Sequence, residues 1–116
     1  MDDFQTRLRR KAAEKRGKAE ALSADRRQDE ADLCKVEENI YSACADSYRG
    51  LACSFAGEEL TERYLTLLGR MSGQWRASLE KAKAHDDVRR AVVEELKLKT
   101  LADVQDLFGG RADEGK

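Results

Sequence analysis

A chain of 116 residues with 39% charged side chains, no proline and a net charge of −1 has room for one domain and a small core. Leu, Ile, Val and Phe number only 22, close to the composition of disordered chains, but 22 basic residues balance 23 acidic ones, so the large net charge of a disordered chain is missing. No apolar run reaches the ~18–20 residues that cross a bilayer, and the acidic start Met1-Asp2-Asp3-Phe4 lacks an apolar export signal, so a cytoplasmic protein without a membrane partner is expected.

Good helix formers dominate, the strongest helix breaker is absent, and no stretch alternates as a strand would. These features predict an all-α fold. The expected architecture is a small antiparallel bundle of three to four helices plus a short C-terminal helix, completed by dimerisation. Within one domain spanning 1–116, residues 2–30 read as a charged N-terminal helical arm, 31–108 as the core helices and 109–116 as a flexible tail.

Residues 2–22 form the first predicted helix, with Asp2 and Asp3 at the positive end of its dipole and a thin apolar stripe of Phe4, Leu8, Ala12, Ala19 and Leu22. So thin a stripe places this segment away from the centre of the core. Residues 23–30 carry no large apolar side chain, and Ser23 or Asp25 can cap a new helix, which favours a turn near Ser23. The stretch Arg27-Gln28-Asp29-Glu30-Ala31 resembles the turn into the second helix of a tetratricopeptide repeat. It covers only those residues, no further copy follows at the expected period, and it brings no function with it.

From Ala31 a stronger stripe begins: Leu33, Val36, Ile40, Ala43 and Ser47, widened by Cys44, Tyr48 and Leu51. Gly50, Ser54 and Gly57 then mark a loop. The next helix opens on Glu58 and Glu59 and carries Leu60, Tyr64, Leu67, Leu68, Met71, Trp75, Leu79 and Ala82, ending near Ala84. Asp86 is positioned to cap a short helix through Val88, Ala91, Val92 and Leu96. Thr100 with Asp103 suggests a second cap, opening a last turn or two with Leu101, Val104, Leu107 and Phe108 before Gly109-Gly110.

Chemistry finds few footholds. The lone histidine, His85, has Ala82 three residues before it, so the Glu-x-x-His motif of a di-iron bundle is missing. Cys34, Cys44 and Cys53 are ten and nine residues apart, without the close pairing of zinc ligands, and read as reduced interior residues. No Gly-x-Ser-x-Gly elbow, phosphate loop or dinucleotide fingerprint occurs. Adjacent acids such as Glu37-Glu38 and Glu94-Glu95 diverge by about 100° on a helix and do not form a shared acid–base site. The expectation is a non-enzymatic protein with no catalytic, cofactor or metal site.

Two surfaces carry the functional expectation. The stripes of Leu33, Val36, Ile40, Tyr64, Leu68, Met71 and Trp75 are candidate interface residues for a homodimer or another protein, since helices of unequal length rarely cover one another alone. Gly69-x-x-x-Gly73 on the Trp75 helix marks either close helix approach, a bend, or tolerated surface positions. The alternative is a polyanion-binding helix built from Arg7, Arg9, Arg10, Lys11, Lys15, Arg16 and Lys18, whose only acid is Glu14. From Asp25 to Glu62 ten acids meet four bases. Docking of the basic arm on that acidic stretch, in its own chain or in a second copy, is therefore preferred over plain solvation and over nucleic acid, which would also want aromatic residues in the run.

Overall fold

The structure, a computed structural model, describes residues 3–109; the Arg111–Lys116 tail read from the sequence lies outside them. Four helices follow one another: α1 (Phe4–Ala24), α2 (Gln28–Ala52), α3 (Gly57–Ala84) and α4 (Val88–Gly109). No strand occurs among the described residues, and the body measures 43 × 34 × 29 Å. The protein is an all-α helical bundle.

Local chemistry sets the helix boundaries. Asp3 Oδ1 accepts from the Thr6 N–H at 2.7 Å and caps α1. The α1–α2 turn is a Schellman motif: Arg26 takes a left-handed conformation (φ 62°), and the Arg27 N–H donates back to the Leu22 carbonyl at 2.8 Å. The α3–α4 turn repeats it. Asp86 has φ 55°, and the Asp87 N–H donates to the Ala82 carbonyl at 2.8 Å. Asp86 therefore bends the chain, and its neighbour Asp87 does the capping, Oδ1 accepting from the Arg90 N–H at 3.1 Å. Between α2 and α3, Gly57 (φ 60°) starts the new helix in a conformation that suits a residue without a Cβ.

Two expectations about these boundaries change. The first turn lies at 25–27 rather than at Ser23, so most of the apolar-free stretch forms the solvated ends of α1 and α2. The anticipated break at Thr100 does not exist. Its hydroxyl donates to the Leu96 carbonyl at 2.8 Å within one continuous α4, a bond that leaves the helical ladder intact.

α1 packs chiefly on α2 and α3 on α4, and the two hairpins meet mainly through α2 and α4. Near the starts of those two helices Asp29 and Arg89 approach to 3.7 Å; near their ends Tyr48 and Phe108 stack edge to face with centroids 5.9 Å apart. α2 and α4 thus lie side by side and parallel. Every equivalence between the hairpins is a shift of sixty residues, and the contacts obey an approximate two-fold symmetry. Phe4–Tyr48 (5.3 Å) corresponds to Tyr64–Phe108 (4.9 Å), and Phe4–Phe108 (5.0 Å) to Tyr64–Tyr48 (5.1 Å). The four rings touch in all six pairings, each edge to face, the geometry the aromatic quadrupole favours.

Tyr64, Leu8, Leu68, Leu101, Val104 and Cys44 are fully buried around this ring cluster. Leu8 and Ala12 belong to the main core, so α1 is central to it despite its thin stripe. Few large residues suffice because three other helices bring the rest. A smaller cluster of Ala19, Ala31 and Cys34, with Leu22 packed on it, closes the first hairpin near its turn. Cys34 and Cys44 are interior as expected, whereas Cys53, just past the end of α2, is exposed.

Candidate interaction surface

The basic face of α1 lies on the acidic face of α2. Arg9 pairs with Asp46 at 2.7 Å, Lys15 with Glu37 at 3.2 Å and Arg16 with Glu38 at 2.7 Å. Lys11 reaches across to Asp103 of α4 at 3.6 Å. Arg7 is half-buried, while Arg10 and Lys18 are exposed. Arg9, Lys11, Lys15 and Arg16 of the candidate polyanion-binding set therefore already face carboxylates of their own chain. Each such pair is worth at most about 1 kcal/mol at this exposure, yet together they fix the register of α1 on α2.

Polar groups inside the bundle are mostly satisfied. The Tyr64 hydroxyl donates to the Cys44 carbonyl at 2.8 Å, and the Tyr41 hydroxyl donates to Asp103 Oδ2 at 2.7 Å, tying α2 to α4. Burial raises the pKa of both phenols, with the Asp103 charge adding to the effect at Tyr41. The Cys44 thiol is pushed up to about 11 by burial, against a smaller opposing effect of its hydrogen bond with Tyr64.

Glu94 is the exception. It is 5% exposed inside the α3–α4 hairpin, and its Oε1 lies 3.2 Å from Lys97 Nζ without completing a hydrogen bond. Lys97 Nζ in turn sits over the Trp75 ring, 4.9 Å from its centroid. No group of three or more His, Cys, Asp or Glu side chains converges to hold a metal ion among the described residues, and His85 is exposed at the end of α3.

The candidate interface residues separate into inside and outside. Ile40, Tyr64 and Leu68 are buried by the chain's own helices, and Met71 and Trp75 are half-buried against the same core. These five have little left to offer a partner. Leu33 and Val36 differ: with Val92 and Val93 they line an open groove of about 240 Å³ between α2 and α4, edged by Asp29, Asp32 and Arg89. On the far side of Val92 a second groove, about 280 Å³, runs between α4 and the end of α3, past Ala82, Val88 and Ala91. Val92 borders both grooves, and with Val88, one turn before it on the second, it forms an apolar ridge; Val88 is 73% exposed and Val92 45%.

In the sequence those two valines read as the apolar positions of a short helix with Ala91 and Leu96. The signal that places them outside is the continuation of their helix face, one and two turns on, as Glu95 and Lys99, both exposed. Symmetry sharpens the contrast. At the equivalent positions of the first hairpin stand Gln28 and Asp32, hydrogen-bonded to each other at 2.8 Å and solvated. Covering the two valines would gain roughly 2 kcal/mol. Gly69 and Gly73, by contrast, face open space on exposed positions of α3, where a methyl group would meet nothing within 4 Å. No family model matches the chain, and no curated protein or solved structure matches it either.

Proposed function

We propose that this protein is a non-enzymatic helical interaction module that docks on another polypeptide through the Val88–Val92 ridge and the groove beside it. The observation that supports this is the apolar replacement of Gln28 and Asp32 at the equivalent exposed sites of the second hairpin. Apolar side chains left in water at a position where the same fold elsewhere uses polar ones call for a covering surface. The remainder of the bundle is scaffold: it holds α2 and α4 parallel so that the groove stays open.

The alternative reading, polyanion binding through α1, has less behind it, because Arg9, Lys11, Lys15 and Arg16 are engaged by carboxylates. The symmetry supplies its own control for the leading reading. A photo-crosslinking side chain placed at position 88 should yield covalent protein adducts in the native host cell, and the same side chain at position 28 should not. Equal yields at the two sites, or none at 88, would remove the ridge as a docking surface.

A further inference from the structure

Resting on that reading, we infer that the polypeptide covering the ridge is a second copy of this chain, bound across a two-fold axis. The charges around the groove carry the argument. Its α2 wall presents Asp29 and Asp32, both exposed, and its α4 lip presents Arg89. Asp29 and Arg89 face each other at 3.7 Å, but their side chains are 92% and 86% exposed, so this pair leaves both groups largely hydrated and open to other partners.

A partner of uniform charge would be repelled by one wall of such a groove while being attracted to the other. A copy of the same surface turned through 180° meets acid with base on both sides. The shape agrees. Each copy offers a two-residue ridge, Val88 and Val92, lying directly beside a groove floored by Leu33, Val36 and Val93. In an isologous contact the ridge of one copy enters the groove of the other, and the reverse contact follows from the same rotation. The ridge is one edge of its own groove, so a single patch serves both roles.

The dimer expected from the sequence is thereby relocated. Ile40, Tyr64 and Leu68 stay inside each copy, and the contact moves to the end of the bundle that carries the two Schellman turns. A patch of this size corresponds to a weak, concentration-dependent dimer and not to an obligate one.

Sedimentation equilibrium of the purified full chain tests this. The wild type should approach a dimer at about 100 µM. Val88→Gln with Val92→Asp, which copies the first hairpin's polar pair, should remain monomeric with an unchanged helical circular dichroism signal. Two charge-reversed proteins sharpen the test, one with Asp29→Arg and Asp32→Arg, the other with Arg89→Asp. Each alone should associate about tenfold more weakly than wild type, and an equimolar mixture should recover the dimer, since all cross-contacts are then of opposite sign.

A wild type that stays monomeric throughout overturns the second copy as occupant, while crosslinking at position 88 to a different protein would still support the docking surface. A dimer that survives the valine substitutions, or charge-reversed proteins that pair as well alone as when mixed, overturns the assigned surface.

Discussion

The two hairpins follow one backbone plan and fill it differently. Their turns share a left-handed residue at the equivalent position and the same reverse hydrogen bond, and their rings occupy equivalent corners of one cluster. The first hairpin closes its turn end with Ala19, Ala31 and Cys34, all buried and apolar. The second puts Glu94 where the first has Cys34. Outside, the first shows Gln28 and Asp32 to water, and the second shows Val88 and Val92. Polarity has been exchanged between interior and surface. A buried carboxylate in the second hairpin predicts that local opening concentrates in the α3–α4 half.

The sharpest test of the symmetry is at its ring cluster. Tyr64 is completely buried and Phe4 is half-buried, although they are equivalent. Tyr64→Ala should cost about 3–5 kcal/mol in urea unfolding, and Phe4→Ala roughly half as much. Similar losses at the two sites would mean that the end of the bundle is more closed around α1 than the geometry indicates.

Alkaline unfolding separates the halves next. The folded chain keeps protons on Tyr64, Tyr41 and Cys44 that the unfolded chain releases near their ordinary values of 10.0, 10.0 and 9.0. Stability from these groups is complete below about pH 9 and is lost as the pH rises through 10 and beyond, by up to about 1.4 kcal/mol per unit for each group. Tyr64→Phe, which places in the second hairpin the ring type that Phe4 supplies in the first, should flatten that slope while costing about 1 kcal/mol at pH 7 for the lost hydrogen bond. A slope unchanged by this substitution would show that Tyr64 titrates normally in the folded protein.

Smaller still is the effect of the buried acid. Lys97→Ala should cost about 2 kcal/mol by leaving Glu94 buried without its cation, whereas Glu94→Leu should be neutral or stabilising by about 1 kcal/mol, because Lys97 can swing its amine into water. Hydrogen exchange in α4 should slow in the leucine variant. If Glu94→Leu instead destabilises by more than about 1 kcal/mol, the carboxylate contributes to the hairpin as more than a tolerated burden.

The smallest expected changes are at the turns. Arg26→Gly should stabilise by about 1 kcal/mol, since a bulky residue gains most from release of a left-handed conformation; Asp86→Gly should give less, because aspartate tolerates that region better. Thermal melts resolve the difference, and a larger gain at Asp86 would reverse the ranking.

Much of this fold can be read along the chain. The absence of proline, the apolar stripe of α3 and its end at Ala84, and the glycine-marked loop before it correspond to observed elements. The opposed charge of residues 7–18 and 25–62 points to the basic arm docking on the acidic stretch, and the structure places that contact within one chain, α1 on α2. The two-fold relation is hidden because few equivalent positions keep their identity: Leu8 and Leu68 match, as do Ala31 and Ala91, but Tyr64 stands at the position equivalent to Phe4, Val104 at that of Cys44 and Glu94 at that of Cys34. The left-handed turn residues escaped notice because Arg26 and Asp86 stand where glycine is the usual sign. The candidate surface was missed for a simpler reason. A helical stripe shows which residues are apolar, and only the packing of α4 against its neighbours decides which of them remain uncovered.

The ring cluster has one further consequence. Phe4 and Phe108, at the first and last turns of the described helices, touch with centroids 5.0 Å apart, so both ends of the path lie at one pole, beside the 53–56 connection. A short peptide bridging those ends, with the backbone reopened between α2 and α3, would thread the hairpins in the opposite order and keep every ring against its neighbours. Such a rearranged chain should fold to the same bundle, with the helical circular dichroism of the original order.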